Sequence, residues 1–273
     1  MRAALIAALV TVATGCPSNL EEQSRVSKLR VLAVRADPAE LIVTADGGPP
    51  AATLTALAVE RHDAGIAVQF ALCRDLTGTP SPTLPCPGDA GIELPPAGPF
   101  SARLDLGDPA ILAFAANAQL DAGLFDGGAG IGETLAEGVP LLIGFTARTA
   151  SERLDGFSIL ILRSDARGPA DENPELNDFL IADGGLIVTR EVVRLQPQTP
   201  PKIDLSKRYG FTFFATDGSI SSLRSTDTTA TGQTAPTWVE WTAPPSPATV
   251  RLWVVLRDGL GGTDWRERVI EVH

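Results

Sequence analysis

The chain has 273 residues and a formal net charge of −11, with 44% hydrophobic and 20% charged residues. This composition is typical of a folded protein, and the length allows two modest domains or one large one. The negative charge argues against nucleic acid as a partner and against an anionic membrane bound through a basic patch, since both need clustered Lys and Arg. All four tryptophans lie in the last 36 residues, which favours two separate cores.

The N-terminal residues have the layout of an export signal. Arg2 precedes an apolar stretch from Ala3 to Val12, and small residues follow before Cys16. Ten apolar residues are too few for a membrane span, which needs about 20. We therefore predict a signal peptide over residues 1–15.

The end of this signal, ATGC at residues 13–16, resembles the bacterial lipobox, in which small residues precede an invariant cysteine. The resemblance implies that Cys16 receives a diacylglycerol on its sulfur and an acyl group on its new amino terminus. Several acyl chains give stable membrane attachment where one does not. An ordinary secretory signal with a chance cysteine is the alternative. Residues 16–27 are then the lipidated cysteine and a polar tether that reaches at most roughly 40 Å.

Short segments with alternating apolar and polar residues follow the predicted tether. Gly, Pro or Asp interrupts them every ten residues or so, which indicates an antiparallel β-sandwich. These strand candidates lie at 28–38, 40–45, 51–60 and 66–73.

Two further cysteines, Cys73 and Cys86, are separated by 12 residues and lie beside or within the proline-rich stretch 74–98. In an exported protein such a pair is expected to form a disulfide, and with Cys16 lipidated no other pairing is available. The bridge would stabilise the fold by about 3 kcal/mol on the chain-entropy model. We assign it a structural role, not a catalytic one.

One segment interrupts the strand pattern and predicts a short helix. Residues 108–120 are rich in Ala and Leu, with Asp108 at the N-cap position and Pro109 at the first helical position. The helix is therefore an insertion in the first domain.

A polar stretch with Gly and Pro at residues 166–174 is the best candidate for a linker. It follows two apolar strand candidates and precedes a second series of them. We therefore place the first domain at 28–168 and the second at 172–273.

The last segment of the chain carries a hairpin pattern. Val250, Leu252, Val254 and Leu256 fall on one face of the incoming strand, and the glycines of the turn 258–262 accept the positive φ that reverses it. This strand–DGLGG–strand arrangement resembles the closing hairpin of bacterial Ig-like, PKD-like and cadherin-like modules. The resemblance implies a mainly all-β protein with two antiparallel Ig-like β-sandwich domains, and the whole chain looks like a Gram-negative lipoprotein that carries such modules.

Side chains with catalytic or metal-binding chemistry are sparse. His62 and His273 are the only histidines, and His62 lies in a predicted turn without a GxSxG motif, so a Ser-His-Asp triad is not supported. Two histidines and two bridged cysteines do not supply a zinc site. We predict no catalytic residue, no metal ligand, no cofactor and no enzymatic activity, with a carboxylate-dependent hydrolase as the least favoured alternative.

Aspartates followed by Gly-containing pairs recur along the chain. Turns in which Asp accepts a hydrogen bond from its own backbone explain this recurrence. Calcium binding stays open as an alternative, because cadherin-like relatives sometimes bind the ion through inter-domain carboxylates. The aspartates are Asp46, Asp63, Asp89, Asp121, Asp126, Asp183 and Asp217.

Trp253 and Trp265 are the candidate ligand-binding residues. Trp253 lies opposite the apolar face of its strand, and Trp265 follows Gly259 by six residues, so the two rings could form an aromatic patch for a sugar or a partner protein. Packing in the second core is the alternative.

These patterns predict a lipid-anchored cell-envelope protein that acts as a non-catalytic binding, scaffold or adhesion module. Its expected location is the outer membrane of a Gram-negative bacterium. The expected partners are the membrane, through the lipid on Cys16, and an envelope protein or glycan, but not nucleic acid. A polysaccharide- or peptidoglycan-binding accessory that uses the C-terminal tryptophans is the main alternative.

Overall fold

The computed structural model describes most of the chain from residue 23 to the end. The described ranges are 23–44, 47–62, 65–74, 86, 91–121, 131–181, 186–200, 207, 209–226 and 237–273. Within them, the strands form four sheets. No helix in this described part is long and apolar enough to cross a membrane.

The first half of the chain folds into one β-sandwich. One sheet has the strand order β1-β3-β7-β6 and the other the order β2-β9-β8-β4-β5. The elements are β1 (Arg30–Asp37), β2 (Glu40–Val43), β3 (Ala51–Val59), β4 (Ala67–Cys73), β5 (Gly91–Glu93), β6 (Pro96–Gly98), β7 (Ser101–Asp105), α1 (Pro109–Asp121), α2 (Ile131–Glu137), β8 (Val139–Arg148) and β9 (Arg153–Ser164).

This strand order is the A-B-E-D and C-F-G arrangement of an Ig-like fold. The chain changes sheets between β1 and β2 at Pro38, which has no N–H with which to continue the ladder beyond Asp37. The ladder between β2 and β9 is parallel, whereas every other ladder between named strands is antiparallel. The expectation of wholly antiparallel sheets is corrected at this one pairing.

The second half of the chain forms a second β-sandwich. Its sheets have the orders β10-β11-β15-β13 and β14-β12-β16-β17. A short 3-10 turn at Asp165–Arg167 precedes it, and its strands are β10 (Asp178–Ile181), β11 (Val192–Gln198), β12 (Gly210–Ala215), β13 (Ser219–Ile220), β14 (Arg224–Thr226), β15 (Val239–Thr242), β16 (Ala248–Arg257) and β17 (Thr263–Val272).

Each sandwich has its own apolar core. Phe70, Leu104 and Ile143 are among the most buried residues of the first core. The second core contains Phe213, Trp241 and the four β16 residues Val250, Leu252, Val254 and Leu256, which confirms the face predicted for that strand. The protein is therefore mainly all-β, with two Ig-like sandwiches.

Two local predictions for the first domain are confirmed. α1 begins at Pro109, and the Asp108 Oδ1 atom accepts a hydrogen bond of 2.8 Å from the Ala110 N–H. Cys73, the last residue of β4, is disulfide-bonded to Cys86. The first sandwich therefore carries both the bridge and the helical insertion that the sequence indicates.

The segment predicted as a tether over residues 16–27 is bound to the second sandwich at its C-terminal end. The Val26 N–H donates to the Ala215 carbonyl at 2.8 Å, and the Ala215 N–H donates to the Ser24 carbonyl at 2.9 Å. Val26 is fully buried, and Arg25 pairs with Asp217 at 3.0 Å. The tether prediction is therefore wrong for residues 24–26, because main-chain pairing and burial fix them.

Candidate binding site at the junction of the two sandwiches

The two sandwiches meet through a third buried apolar cluster, which we call the junction cluster. Because alternate residues of a strand point to opposite faces, β16 directs Trp253 and Val255 away from the second core and toward the first sandwich. β16 is therefore buried on both faces. The junction cluster contains Val26, Leu32, Ala33, Leu57 and Val59 from the N-terminal side, and Phe214, Trp253 and Val255 from the second sandwich.

The structure places both predicted ligand-binding tryptophans at this junction. Trp253 is 0% exposed, and its indole N–H has no acceptor within the described part of the chain. The Arg251 guanidinium lies 5.1 Å from its ring centre. Trp265 is partly buried and packs against the junction cluster. The prediction of an exposed patch is wrong for Trp253, because a ring with no exposed surface cannot stack on a sugar.

Asn173, in the linker between the sandwiches, bonds to both of them. Its Nδ2 atom donates to the Ala36 carbonyl of β1 at 2.7 Å. Its Oδ1 atom accepts from the Thr263 N–H of β17 at 2.9 Å. A single amide side chain thus fixes the spacing of two strands that belong to different sandwiches.

Asp264 forms a second polar connection beside Asn173. Its side chain is 7% exposed, and its Oδ1 atom lies 3.1 Å from an Arg35 nitrogen of β1. The Oδ2 atom accepts from the Leu176 N–H at 2.9 Å, and Arg266 also approaches the carboxylate. The carboxylate of the second sandwich therefore holds an arginine of the first sandwich and the end of the linker.

The start of the linker is tied to the first sandwich by a buried ion pair. Arg163 of β9 contacts the Glu40 Oε2 atom at 2.8 and 3.0 Å, and the Asp171 N–H donates to the same oxygen at 3.0 Å. Arg163 also donates to the carbonyls of Gly168 and Pro169. The linker is thus held by both sandwiches.

Lys207 ties the linker to the last hairpin of the second sandwich. Its ammonium lies 2.6 Å from Asp171 Oδ1, 3.1 Å from Asp258 Oδ2 and 3.2 Å from the Glu172 carbonyl. Burial of Lys207 disfavours its charged form, but the hydrogen bonds to Asp171 and Asp258 outweigh burial and raise the pKa of Lys207. Lys207 therefore stays charged at the junction.

Asp258 organises the turn that the DGLGG sequence indicates. Its side chain is fully buried, and its Oδ1 atom accepts from the N–H groups of Leu260 and Gly262, both at 2.9 Å. Gly259 and Gly261 have φ values of 77° and 109°, so the predicted use of glycine at positive φ is confirmed there. The turn presents its glycine backbone to the first sandwich.

Among the acidic turns that left calcium open, the one at Asp217 is occupied by cationic side chains. Asp217 contacts Arg25 at 3.0 Å and Arg61 at 3.3 Å, and its Oδ1 atom accepts from the Gly218 N–H at 2.8 Å. Across the described ranges, no group of three or more His, Cys, Asp and Glu is placed to hold a metal ion. Asp121 ends α1, and the other five aspartates of this series lie outside the described residues.

A groove of about 420 Å³ opens between the first sandwich and the glycine turn. Val31 and Val34 of β1 form one wall, Phe157 and Ile159 of β9 form another, and residues 259 and 261–263 close the third side. Phe145 and Arg257 also line the groove. The groove therefore combines apolar walls with polar backbone and one cationic side chain.

Arg257 lines this groove without a carboxylate partner among the described residues. Its Nη2 atom donates to the Leu32 carbonyl at 2.7 Å, and its Nη1 atom donates to the Thr212 hydroxyl at 3.3 Å. Burial and the neighbouring Arg224 lower the pKa of Arg257, which means that the charged form lacks full compensation. An anionic group in the groove would be attracted to it.

The remaining predicted residues lie away from this junction or outside the described ranges. Cys16 lies outside the described residues, so lipidation stays a prediction. The Cys73–Cys86 bridge is in the first sandwich, and both His62 and His273 are exposed.

Fold and junction together define the chain as a protein of two Ig-like sandwiches with a shared interface. No protein-family profile matches it, and no curated protein matches it. Among solved structures, the D0-D1 domains of intimin match with 12% identity and a TM-score of 0.24, covering 88% of this chain and 98% of theirs. The D00-D0 domains of intimin match with 7% identity and a TM-score of 0.26, covering 88% and 100%.

A Bacteroides ovatus glucan-utilisation protein, SGBP-B in complex with a mixed-linkage heptasaccharide, also matches. Its identity is 10% and its TM-score 0.23, with 90% of this chain and 47% of that chain covered. At scores this low, none of these matches carries an argument about what the present chain binds.

Sequence reasoning missed the polar side chains that join the two sandwiches. Across the junction, Asn173, Lys207 and Asp264 contact partners between 35 and 229 residues away in the chain, and no local pattern relates the two members of each pair. The sequence did place Asp258 at the start of a glycine turn. That pattern predicted the turn, but it did not predict that Lys207 would pair with Asp258.

Proposed function

We propose that this chain is a lipid-anchored cell-envelope protein that binds a partner as a rigid, non-catalytic two-domain module. The observation that carries the proposal is the junction cluster around Trp253, which gives the two sandwiches a common buried interface. A rigid body presents a binding surface in a fixed orientation and loses little conformational entropy on binding. The polar contacts of Asn173 and Asp264 support the same reading.

The predicted anchor would hold this body close to the membrane. Residues 24–26 are fixed to the second sandwich, so only the chain from Cys16 to Ser24 separates the lipid from the folded protein. Eight residues reach at most about 30 Å when fully extended. The second sandwich would therefore lie next to the bilayer.

Three carboxyl groups of the described residues are stabilised in their charged form by neighbouring groups. The pKa is lowered at Asp105, Asp155 and Asp178. The pKa of Asp178 is lowered mainly by its hydrogen bond to Arg268. For Asp155, burial opposes the shift, but hydrogen bonds from Arg153 and Thr146 keep the pKa low. These carboxylates serve as structural ion-pair partners.

The glycan-binding alternative loses its main support. It relied on Trp253 and Trp265 as an exposed pair, and Trp253 is fully buried. No other observation on the described residues favours a sugar over a protein.

Labelling with radioactive palmitate tests the anchor. We expect label in the full-length wild type expressed in a Gram-negative host, and none in Cys16→Ser. The double variant Cys73→Ser/Cys86→Ser is the matched control, since it loses both other cysteines and should still be labelled. Equal label in wild type and Cys16→Ser, or recovery of the wild type in the soluble periplasmic fraction, would contradict the proposal.

A further inference from the structure

The first two thirds of β9, residues 153–160 of Arg153–Ser164, have an open edge. On one side of β9, β8 pairs with residues 153–162. On the other side, β2 pairs only with residues 161–164. Among the described residues, the outward backbone groups of 153–160 have no main-chain partner. Such an edge can accept a further strand.

Beyond the Arg153–Asp155 ion pair at its start, this edge lacks the usual protection against pairing. Natural edge strands carry charges, proline or bulges that block another chain. Residues 156–160 have the sequence GFSIL, with no charge and no proline. Phe157 and Ile159 are 38% and 54% exposed.

The edge strand of the second sandwich offers a contrast. Within the described ranges, β17 pairs with β16 and makes one further bridge to Ile187. Four of its six residues from 266 to 271 are charged. The unprotected edge on β9 is therefore not a general feature of this fold.

The groove at the junction adjoins the open edge. Phe157 and Ile159 line it from β9, and Val31 and Val34 line it from β1. Arg257 enters from the second sandwich, where its partners among the described residues are a carbonyl and a hydroxyl. A ligand here would meet an open main-chain edge, an apolar wall and an uncompensated cation.

We infer that the open edge of β9 and the adjoining groove bind an extended peptide segment of a partner protein. The segment adds to β9 as a strand, places apolar side chains against Phe157 and Ile159, and directs a carboxylate side chain toward Arg257. A peptide fits better than a glycan, because strand addition uses main-chain N–H and C=O groups and Trp253, one of the two tryptophans predicted to stack on a sugar, is buried. The inference rests on the proposed binding function and names its partner class.

Selection from a phage-displayed library of random 12-residue peptides on the purified full chain tests this site. We expect the enriched peptides to share alternating apolar residues and one acidic residue. The best binder, made as a fluorescein-labelled synthetic peptide, is then titrated by fluorescence anisotropy. A peptide with its acidic residue changed to the amide should bind the wild type about tenfold more weakly than the original peptide. The two peptides should bind the Arg257→Gln variant with nearly equal affinity.

Two matched surface variants locate the binding. Ile159→Asp places a charge in the groove and should weaken binding at least tenfold, whereas Val269→Asp, at a residue that is 60% exposed on β17, should leave binding unchanged. Both variants change an exposed apolar residue on a strand, and their melting temperatures check folding. Equal affinity for the two variants, or no enrichment at all, would overturn the inference.

Hydrogen exchange on the wild type provides a readout that needs no variant. Strand addition should slow exchange of alternate amides within 153–160 when the peptide is bound. Unchanged exchange there would overturn strand addition even if the peptide binds. None of these results depends on lipid at Cys16, so failure here is distinguishable from failure of the anchor.

Discussion

Trp253→Ala is expected to lower the free energy of unfolding by about 3–5 kcal/mol, the range for truncation of a large buried aromatic residue. Trp253 is fully buried between the sandwiches, and its loss leaves a cavity lined by residues of both. The indole N–H has no acceptor among the described residues, so the loss comes from packing and not from a hydrogen bond. Calorimetry should show the single transition of the wild type separate into two.

Trp241→Ala is the matched control for this prediction. Trp241 is also 0% exposed, but it lies in the core of the second sandwich, with its indole nitrogen 3.0 Å from the Asp217 carbonyl. It should reduce stability by a similar amount while the two sandwiches still unfold together. A Trp253→Ala variant within about 1 kcal/mol of wild type, or one that behaves like Trp241→Ala, would contradict the assigned role of the junction cluster.

Lys207→Met is expected to destabilise the protein by about 3–5 kcal/mol at pH 7, because it leaves a buried carboxylate without its cation. Asp258 is fully buried and depends on this ammonium. The pKa of Lys207 is raised in the folded protein, so its stabilising effect is fully present below its unfolded pKa of about 10.4 and is lost as pH rises through the higher folded value. Urea unfolding of both proteins from pH 7 to 11 measures the difference.

Two controls isolate the Lys207–Asp258 pair. Lys28→Met removes an exposed lysine and should change stability by less than about 1 kcal/mol. The double variant Lys207→Met/Asp258→Asn should recover part of the loss, since the buried charge is also removed. A stability difference between wild type and Lys207→Met that begins to shrink well below pH 10 would assign the effect to another group.

Local chemistry could be predicted from the sequence where the responsible residues are neighbours in the chain. The cap at Asp108, the glycine turn after Asp258 and the inward face of β16 each depend on residues a few positions apart. The Cys73–Cys86 bridge could be predicted because only two cysteines were left to pair.

What covers the outer face of a strand could not be predicted in the same way. Alternation places Trp253 opposite Val254, but it does not show that the first sandwich packs over that face. A bulge between Val31 and Ala33 also brings Leu32 and Ala33 together into the junction cluster, which breaks the alternation expected for β1. The tether prediction failed similarly, since the pairing of Ser24 and Val26 with Ala215 joins distant parts of the chain.

The two sandwiches are expected to form one rigid body, and a distance measurement between them tests this most directly. Spin labels at Leu112→Cys on α1 and Val269→Cys on β17 report one sandwich each, and both positions are more than half exposed. With Cys16→Ser and the native disulfide intact, only these two sites react. Double electron–electron resonance should give one narrow distance distribution, whereas a broad or multiple distribution would show that the sandwiches move independently and would contradict the account.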